Sequence, residues 1–425
     1  MGRKKVLDAP HSRNPRNSRL ILLSVPNLIF IFNNLPTSPV LTANGVLLIV
    51  ARFMRFLFIV VLLALPNVAH AQAPQDATSE LKLDTGQEIF EAACIACHGP
   101  GGRGQPQTTL GFEPPATFPD FSDCFGSVRE KTFDWTATIH EGGRGRGFSE
   151  IMPSFAEALT PDQINKVVQY LRTLCDDRAW PPGELNLPRP LVTEKAFPED
   201  EWVLTTTVNA SGDGGVSSEL VYEKRFGKKN QLEFVAPFNF AQRDNKSWIG
   251  GIGDLILGYK RNLFHSIRSG SILSLQGEVS MPTGNRLRGL GSGVTTFETF
   301  AAFGQLLPGR GFIQIQTGAE LPTDTTKMPQ AGFWRTAVGK TFVQNQGFGR
   351  IWTPMVEFLA DRDLQTGART NWDVVPQMQV ALNKRQHILA NVGVRRPVNN
   401  TFGRTTQVMF YVLWDFFDGG LREGW

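Results

Sequence analysis

Cysteine is scarce in this chain of 425 residues: Cys94, Cys97, Cys124 and Cys175, with none in the second half. A disulfide-dense scaffold is therefore excluded. No second Cys or His pair follows Cys94 and Cys97 at ligand spacing, which argues against structural zinc. A basic stretch is missing from the body of the chain. The formal charge of +4 is concentrated in residues 1–71, which hold eight Lys and Arg against Asp8, and the remainder is net acidic. That leaves no electrostatic footprint for nucleic acid. The candidate membrane anchor, residues 20–32, is short for a bilayer-spanning helix and contains Pro26.

What is present starts with "MRFLFIVVLLALPNVAHAQAPQ" from Met54. It has a positive start at Arg55, an apolar core over residues 56–65, and Ala69-His70-Ala71 as a small-residue cleavage site. Residues 54–71 read as a secretory signal peptide, and residues 1–53 as an upstream extension that follows from a misassigned start codon. A mature chain from Gln72 is exported to a compartment that permits disulfides.

The stretch "EAACIACHGPGGRG" carries Cys94-Ile95-Ala96-Cys97-His98, the attachment signature of a covalently bound haem. Cysteines three apart on a helical turn form the two thioethers, and His98 follows as the proximal ligand. The sixth ligand has two candidates before residue 177, Met152 in "IMPSF" and His140 in "ATIHEGGRG". With "MPSFAEALTPDQINKVVQYLRTL" these segments resemble a class I cytochrome c in order and spacing. The resemblance implies one covalent haem c, held by Cys94 and Cys97 and ligated by His98 and Met152. It leaves His140 as a surface residue in a polar turn, and it implies that haem is attached outside the cytoplasm.

In the last helix of this region Thr160 is the expected N-cap, Pro161 the first helical residue, and Gln163 the partner in a capping box. Ile164, Val167, Val168, Leu171 and Leu174 then form an apolar stripe at helical spacing, a core pattern. In class I cytochromes that helix crosses the first, here "TGQEIFEAA". Cys124 and Cys175 either pair or stay free, because sequence cannot show how closely their Cα atoms approach.

The haem domain is expected over residues 72–177 and a linker over 178–201. Five prolines around this linker suggest an extended, semi-rigid spacer. From Trp202 to Trp425 helical periodicity stops and roughly twelve short alternating runs follow. In "DLILGYK", Leu255, Leu257 and Tyr259 oppose Asp254, Gly258 and Lys260; in "LSLQGEVS", Leu273, Leu275 and Val279 oppose Ser274, Gln276 and Glu278. In "QVMFYVLWDF", Val408, Phe410, Val412, Trp414 and Phe416 share a face. A β-sandwich also alternates, but a polar face rich in Gln, Glu, Asp and Lys suits a wet lumen better. Tight connections ("GKKN", "PGRG", "NKRQ") and long ones ("SMPTGNRLRGLGSG", "LPTDTTKMPQ", "RPVNNTFGR") fall on opposite parities, with "NLFHSIRSG" as an exception. The fold expected is multidomain: a small all-α cytochrome c domain, then an antiparallel transmembrane β-barrel of about twelve strands.

The second half resembles porin-like outer-membrane proteins, among them the family named for meta-pathway phenol degradation. The fusion resembles the cytochrome–porin fusions of iron-oxidising bacteria, although its haem domain is larger and its barrel smaller. That resemblance implies electron transfer between the outside and periplasmic carriers. A domain of about 100 residues, with a radius of gyration near 13 Å, is too large for such a lumen and is expected to cap its periplasmic mouth. The expected location is the outer membrane, with the haem in the periplasm and lipid around the barrel. The expected partners are periplasmic carriers and small redox species admitted past Asp254, Glu278 and Glu320. The alternative is a small-solute channel with a tethered cytochrome as redox partner or sensor. No second cofactor motif supports an enzyme, and oxidation of a small species such as ferrous iron stays open. His265 and His387 read as turn or surface residues.

Overall fold

The computed structural model describes residues 83–105, 119–243, 245, 247–343 and 350–425. The expected leader and signal peptide lie outside these residues. The helical region contains α1 (Gly86–Ala93), α2 (Ile95–His98), α3 (Cys124–Ser127), α4 (Thr132–Gly145) and α5 (Pro161–Thr173). Both α1 and α5 start with reciprocal capping boxes, Thr85 with Glu88 and Thr160 with Gln163. These boxes satisfy helix-end N–H groups that would otherwise be orphaned. Ile89 and Phe90 of α1 bury against Ile164, Val167, Val168 and Leu171 of α5 in one core, as the stripe requires. Cys124 and Cys175 form a disulfide with Cα atoms 5.3 Å apart, which settles the pairing left open by the sequence.

Twelve antiparallel strands form a closed barrel. They are β1 (Asp200–Asn209), β2 (Gly215–Phe226), β3 (Asn230–Gln242), β4 (Trp248–Ile252 and Leu255–Ser266), β5 (Ser271–Met281) and β6 (Thr296–Leu307). Then come β7 (Gly311–Pro322), β8 (Ala331–Lys340, extended by Phe342–Val343), β9 (Ile351–Asp363), β10 (Asn371–Ala381), β11 (Ile388–Pro397) and β12 (Gln407–Asp415). β12 pairs with β1 through Trp202↔Trp414 to Val208↔Val408, which closes the sheet and removes its edges. The burial pattern is inverted relative to a soluble protein. Leu204, Leu257, Leu275, Phe358, Phe410 and Val412 point outward and are exposed, whereas Ser274, Gln276, Gln314, Gln316, Glu357 and Gln379 are buried inside. That is the distribution expected of a barrel in lipid.

Among the described connections, the short turns 227–229, 267–270, 308–310 and 382–387 lie at one end with the termini of the barrel, and the long loops 282–295, 323–330, 364–370 and 398–406 lie at the other. "NLFHSIRSG" is no exception: β4 continues to Ser266 through a bulge between Asn262 and Phe264, and β5 restarts at Ser271. Asp254 does not face open water. Its carboxylate accepts the N–H of Gly284 at 2.9 Å and of Ser292 at 2.7 Å, and so pins the long loop after β5.

The Pro-rich segment differs most from expectation. Residues 185–199 lie inside the barrel and are not a free-standing spacer. Leu185, Ala196 and Phe197 pack on Ile272, Phe300 and Phe333; Leu187 packs on Phe312 and Met355; Leu191 packs on Val203, Val235, Leu359 and Tyr411. A Cβ added to Gly393 would sit 2.6 Å from Leu191 Cδ1, so the wall is smallest where the segment approaches. The wall also supplies the segment's hydrogen bonds. Glu357 accepts the N–H groups of Leu191, Val192 and Thr193 at 3.0, 3.1 and 2.7 Å. Gln316 and Gln231 accept those of Glu194 and Glu199. Gln314, Tyr411 and Ser274 donate to the carbonyls of Pro188, Arg189 and Ala196. Proline suits the position for a reason other than stiffness: it brings no N–H that must find a partner indoors.

Glu357→Ala should leave the N–H groups of Val192 and Thr193 and the Thr193 hydroxyl without their acceptor, while Leu191 keeps Gln377 Oε1, and cost about 2 kcal/mol or more, whereas Glu357→Gln, which keeps one acceptor oxygen, should cost less. Unfolding in urea, followed by heat-dependent gel mobility, checks this; equal stability of Glu357→Ala and the parent chain would contradict it.

Candidate haem site

Cys94 caps α2, and Cys97 and His98 complete its single turn, with the N–H of His98 donating to the carbonyl of Cys94 at 2.9 Å. Both thiols are free and half-buried. The His98 ring packs on Phe121 (5.1 Å between centroids), Phe121 packs on Trp135 (5.3 Å), and the Arg172 guanidinium lies 4.0 Å over Trp135. Burial pushes the His98 imidazole down to about 4, so near neutral pH it offers a lone pair to a metal. Burial, reinforced by Cys97, pushes the Cys94 thiol up to about 11.

Met152 reaches the same cleft because α4 kinks at Gly142-Gly143 in its last turn. Gly142 adopts φ 74°, and a Cβ there would stand 2.8 Å from the Met152 carbonyl oxygen; one on Gly143 would stand 2.0 Å from the Ser149 carbonyl oxygen. The N–H of Gly143 donates to the Met152 carbonyl at 3.1 Å. Any side chain at this crossing would push the Met152 loop off α4.

Cys94, Cys97, His98 and Met152 line one cavity of about 830 Å³, with Phe90, Phe121, Trp135, Ile139, Phe155 and Leu171. Two thiols, an imidazole and a thioether facing a shared apolar space fit the donor set of a covalent haem. His140 does not line this cavity; its Nδ1 stands 2.8 Å from Glu141 Oε1.

The cavity does not stop at the helical region. Leu187, Arg189 and Lys195 of the lumen segment, and Phe312, Gln379 and Leu413 of the barrel wall, line the same space. The helical region docks on the short-turn end. Arg129 pairs with Asp200 at 2.5 Å, both buried, and lies 3.6 Å over the Phe417 ring. His265 Nε2 is 3.1 Å from the carbonyl of Arg178, and His387 Nε2 is 3.1 Å from that of Gly420. Both histidines therefore serve this junction; His387, expected as a turn or surface residue, follows the 383–386 turn and is buried. The docking residues were not legible as such. The lumen segment did leave a trace, since Leu185, Leu187 and Leu191 are too apolar for a solvated linker.

The family model for cytochrome c matches residues 83–175. No curated protein matches the chain. Among solved structures, the chain is similar to the KdgM porin, at 8% identity over 51% of this chain and 99% of the other, with a TM-score of 0.34. It is also similar to the COG4313 outer membrane channel from Pseudomonas putida F1, at 12% identity over 50% and 94%, with a TM-score of 0.37. The family match implies a covalently bound haem c. The barrel assignment rests on the strand pairings described above.

Glu130 of the helical region and Asp418 of the C-terminal tail share a hydrogen bond in the docked junction, flanked by Arg129, Asp134 and Asp415. Burial raises both carboxyl groups above their ordinary range, and the neighbouring acids add to it. The folded state therefore holds protons that the unfolded chain releases. Stability should be full below the ordinary carboxylate range and should fall as pH rises through the raised values. Glu130→Gln should flatten this dependence and raise the thermal midpoint at pH 8. A parent protein that gains stability with rising pH over the same window would contradict it.

Proposed function

We propose that the protein is an electron-transfer haem protein of the outer membrane, with one haem c held at the short-turn end of the barrel. In this reading the haem region lies in the periplasm and exchanges electrons between periplasmic carriers and small redox species. The observation that carries it is the convergence of Cys94, Cys97, His98 and Met152 on one cavity in a region matching cytochrome c.

The haem would supply one-electron chemistry, and the chain sets the conditions for it. Cys94 and Cys97 would anchor it to the turn of α2. His98, kept neutral by burial and packed on Phe121, would present a fixed imidazole. Met152, held by the Gly142-Gly143 crossing, would supply a thioether as the second protein ligand beside His98, a donor pair that favours electron transfer over catalysis. Phe90, Phe155 and Leu171 would exclude water and reduce the reorganisation that accompanies a change in charge. An open solute channel is less well supported, because the lumen holds residues 185–199 and their hydrogen-bonded partners.

Short turns belong on the periplasmic side of outer-membrane barrels. The helical region docks at that end, which supports a periplasmic haem. The opening of the cavity toward the lumen supports access for small species from the barrel side.

Replacing both Cys94 and Cys97 by Ala should abolish covalent haem staining on a denaturing gel, and covalent haem retained in that variant would contradict the assignment. Met152→Ala should lower the midpoint potential, within the ~0.8 V range that axial ligands command, and should admit carbon monoxide. If His140→Ala has these effects and Met152→Ala does not, the ligand assignment is wrong.

A further inference from the structure

The barrel interior holds a second polar centre that the haem reading does not use. Glu194 of the lumen segment, Glu223 of β2 and Glu233 of β3 each bring a carboxylate oxygen within 4.8 Å of the other two, and all three residues are buried. Gln276 of β5 stands beside them, its Nε2 donating to Glu233 Oε2 at 3.1 Å and to Glu278 Oε1 at 3.0 Å.

The charges around this centre are unequal. Glu194, Glu199, Glu201, Glu223, Glu233 and Glu278 gather near Arg189, Lys195 and Lys260, all buried. Arg189 is engaged by Glu201 at 2.7 Å, Glu223 at 2.9 Å and Glu194 at 3.4 Å. Lys195 is engaged by Glu199 and Glu201. Lys260 Nζ is buried and makes no hydrogen bond among the described residues, and Arg335 donates to Gln316 at 3.2 Å. Burying an excess of anions in a low-dielectric interior is costly unless a cation joins them or protons are retained.

A second observation points to a ligand. Glu223 Oε1 takes Arg189, but Glu223 Oε2, on a fully buried side chain, accepts no hydrogen bond among the described residues. Gln276 Oε1, equally enclosed, also lacks a donor there. These are acceptor oxygens turned away from water with nothing to accept. Two oxygens on one Ca²⁺ can stand no further apart than about 5.2 Å, twice the Ca–O distance, and the three carboxylates fall inside that limit as they stand. The donors are all oxygen, which selects a hard cation over the soft metals that thiolates hold.

We propose that Glu194, Glu223 and Glu233 form a divalent-cation site inside the barrel, with Gln276 and Glu278 at its margin. Glu194 belongs to the segment that joins the haem region to β1, whereas Glu223 and Glu233 belong to the wall. The cation therefore pins that segment to β2 and β3. The site is independent of the haem assignment, since none of its residues ligates or anchors the haem.

The test uses the full-length holoprotein purified from membranes, stripped with chelator and titrated with Mn²⁺ by electron paramagnetic resonance. The expected result is saturable binding of one Mn²⁺ per chain, displaced by Ca²⁺, and weakened at least ~10-fold in Glu233→Gln and in Glu194→Gln. Glu320→Gln, outside the cluster, should bind as the parent does. Stripping should lower the thermal midpoint of the parent and leave that of Glu233→Gln unmoved. Heat-dependent gel mobility confirms that each variant is folded. Absence of saturable Mn²⁺ binding in the parent overturns the proposal, and so does unchanged affinity in both cluster variants.

Discussion

A chain segment inside a barrel must find a partner for every backbone N–H and carbonyl, because it has neither a strand ladder nor bulk water to supply one. The rest of this structure depends on how that constraint is met. Glu357 takes three successive N–H groups of residues 191–193, and Gln377 donates to the same carboxylate at 2.6 Å. Glutamines on β3, β7 and β10, with Ser274 and Tyr411, serve most of the remaining segment. The polar inner face thus acts as the hydrogen-bonding counterpart of a peptide. The apolar layer of Val203, Val235, Leu359 and Tyr411 then gives Leu191 a dry seat.

This arrangement makes the haem region and the barrel one unit. The segment leaves the helical region at Gly183, whose N–H donates to the Val128 carbonyl at 2.8 Å, enters the lumen, and returns to β1 at Asp200, where Arg129 closes the junction. The C-terminal tail is built into the same seam through Phe417 under Arg129 and the pair of Arg385 with Glu423. An electron leaving the proposed haem toward the lumen would therefore meet Arg189, Lys195 and their carboxylates before open water.

Much of this was legible in the sequence, for reasons that can be stated. The haem motif is contiguous, the capping boxes of α1 and α5 are local, and alternation with parity of loop length gave the barrel and its strand number. The lumen segment was not legible, because prolines signal extension equally well in a spacer and in a peptide held by side chains. Its leucines at 185, 187 and 191 weigh against a solvated spacer, but their partners are scattered over many strands, from Val203 to Tyr411. Glu278 illustrates the same limit: its inward parity could be read, whereas its burial behind Gln276 depended on what fills the lumen. "NLFHSIRSG" misled because a bulge carried β4 further than alternation suggested.

The central claim is that a single haem at the short-turn end exchanges electrons with carriers there, and reaches the long-loop side only through species small enough to enter the barrel. The most direct measurement uses holoprotein oriented in sealed vesicles with the long loops outward, and follows haem absorbance after adding an impermeant small reductant or the same reductant coupled to a polymer. The account predicts that the small reductant acts from outside and that the polymer-coupled one acts only when enclosed on the short-turn side. Rapid haem reduction by the polymer-coupled reductant from the long-loop side would contradict it.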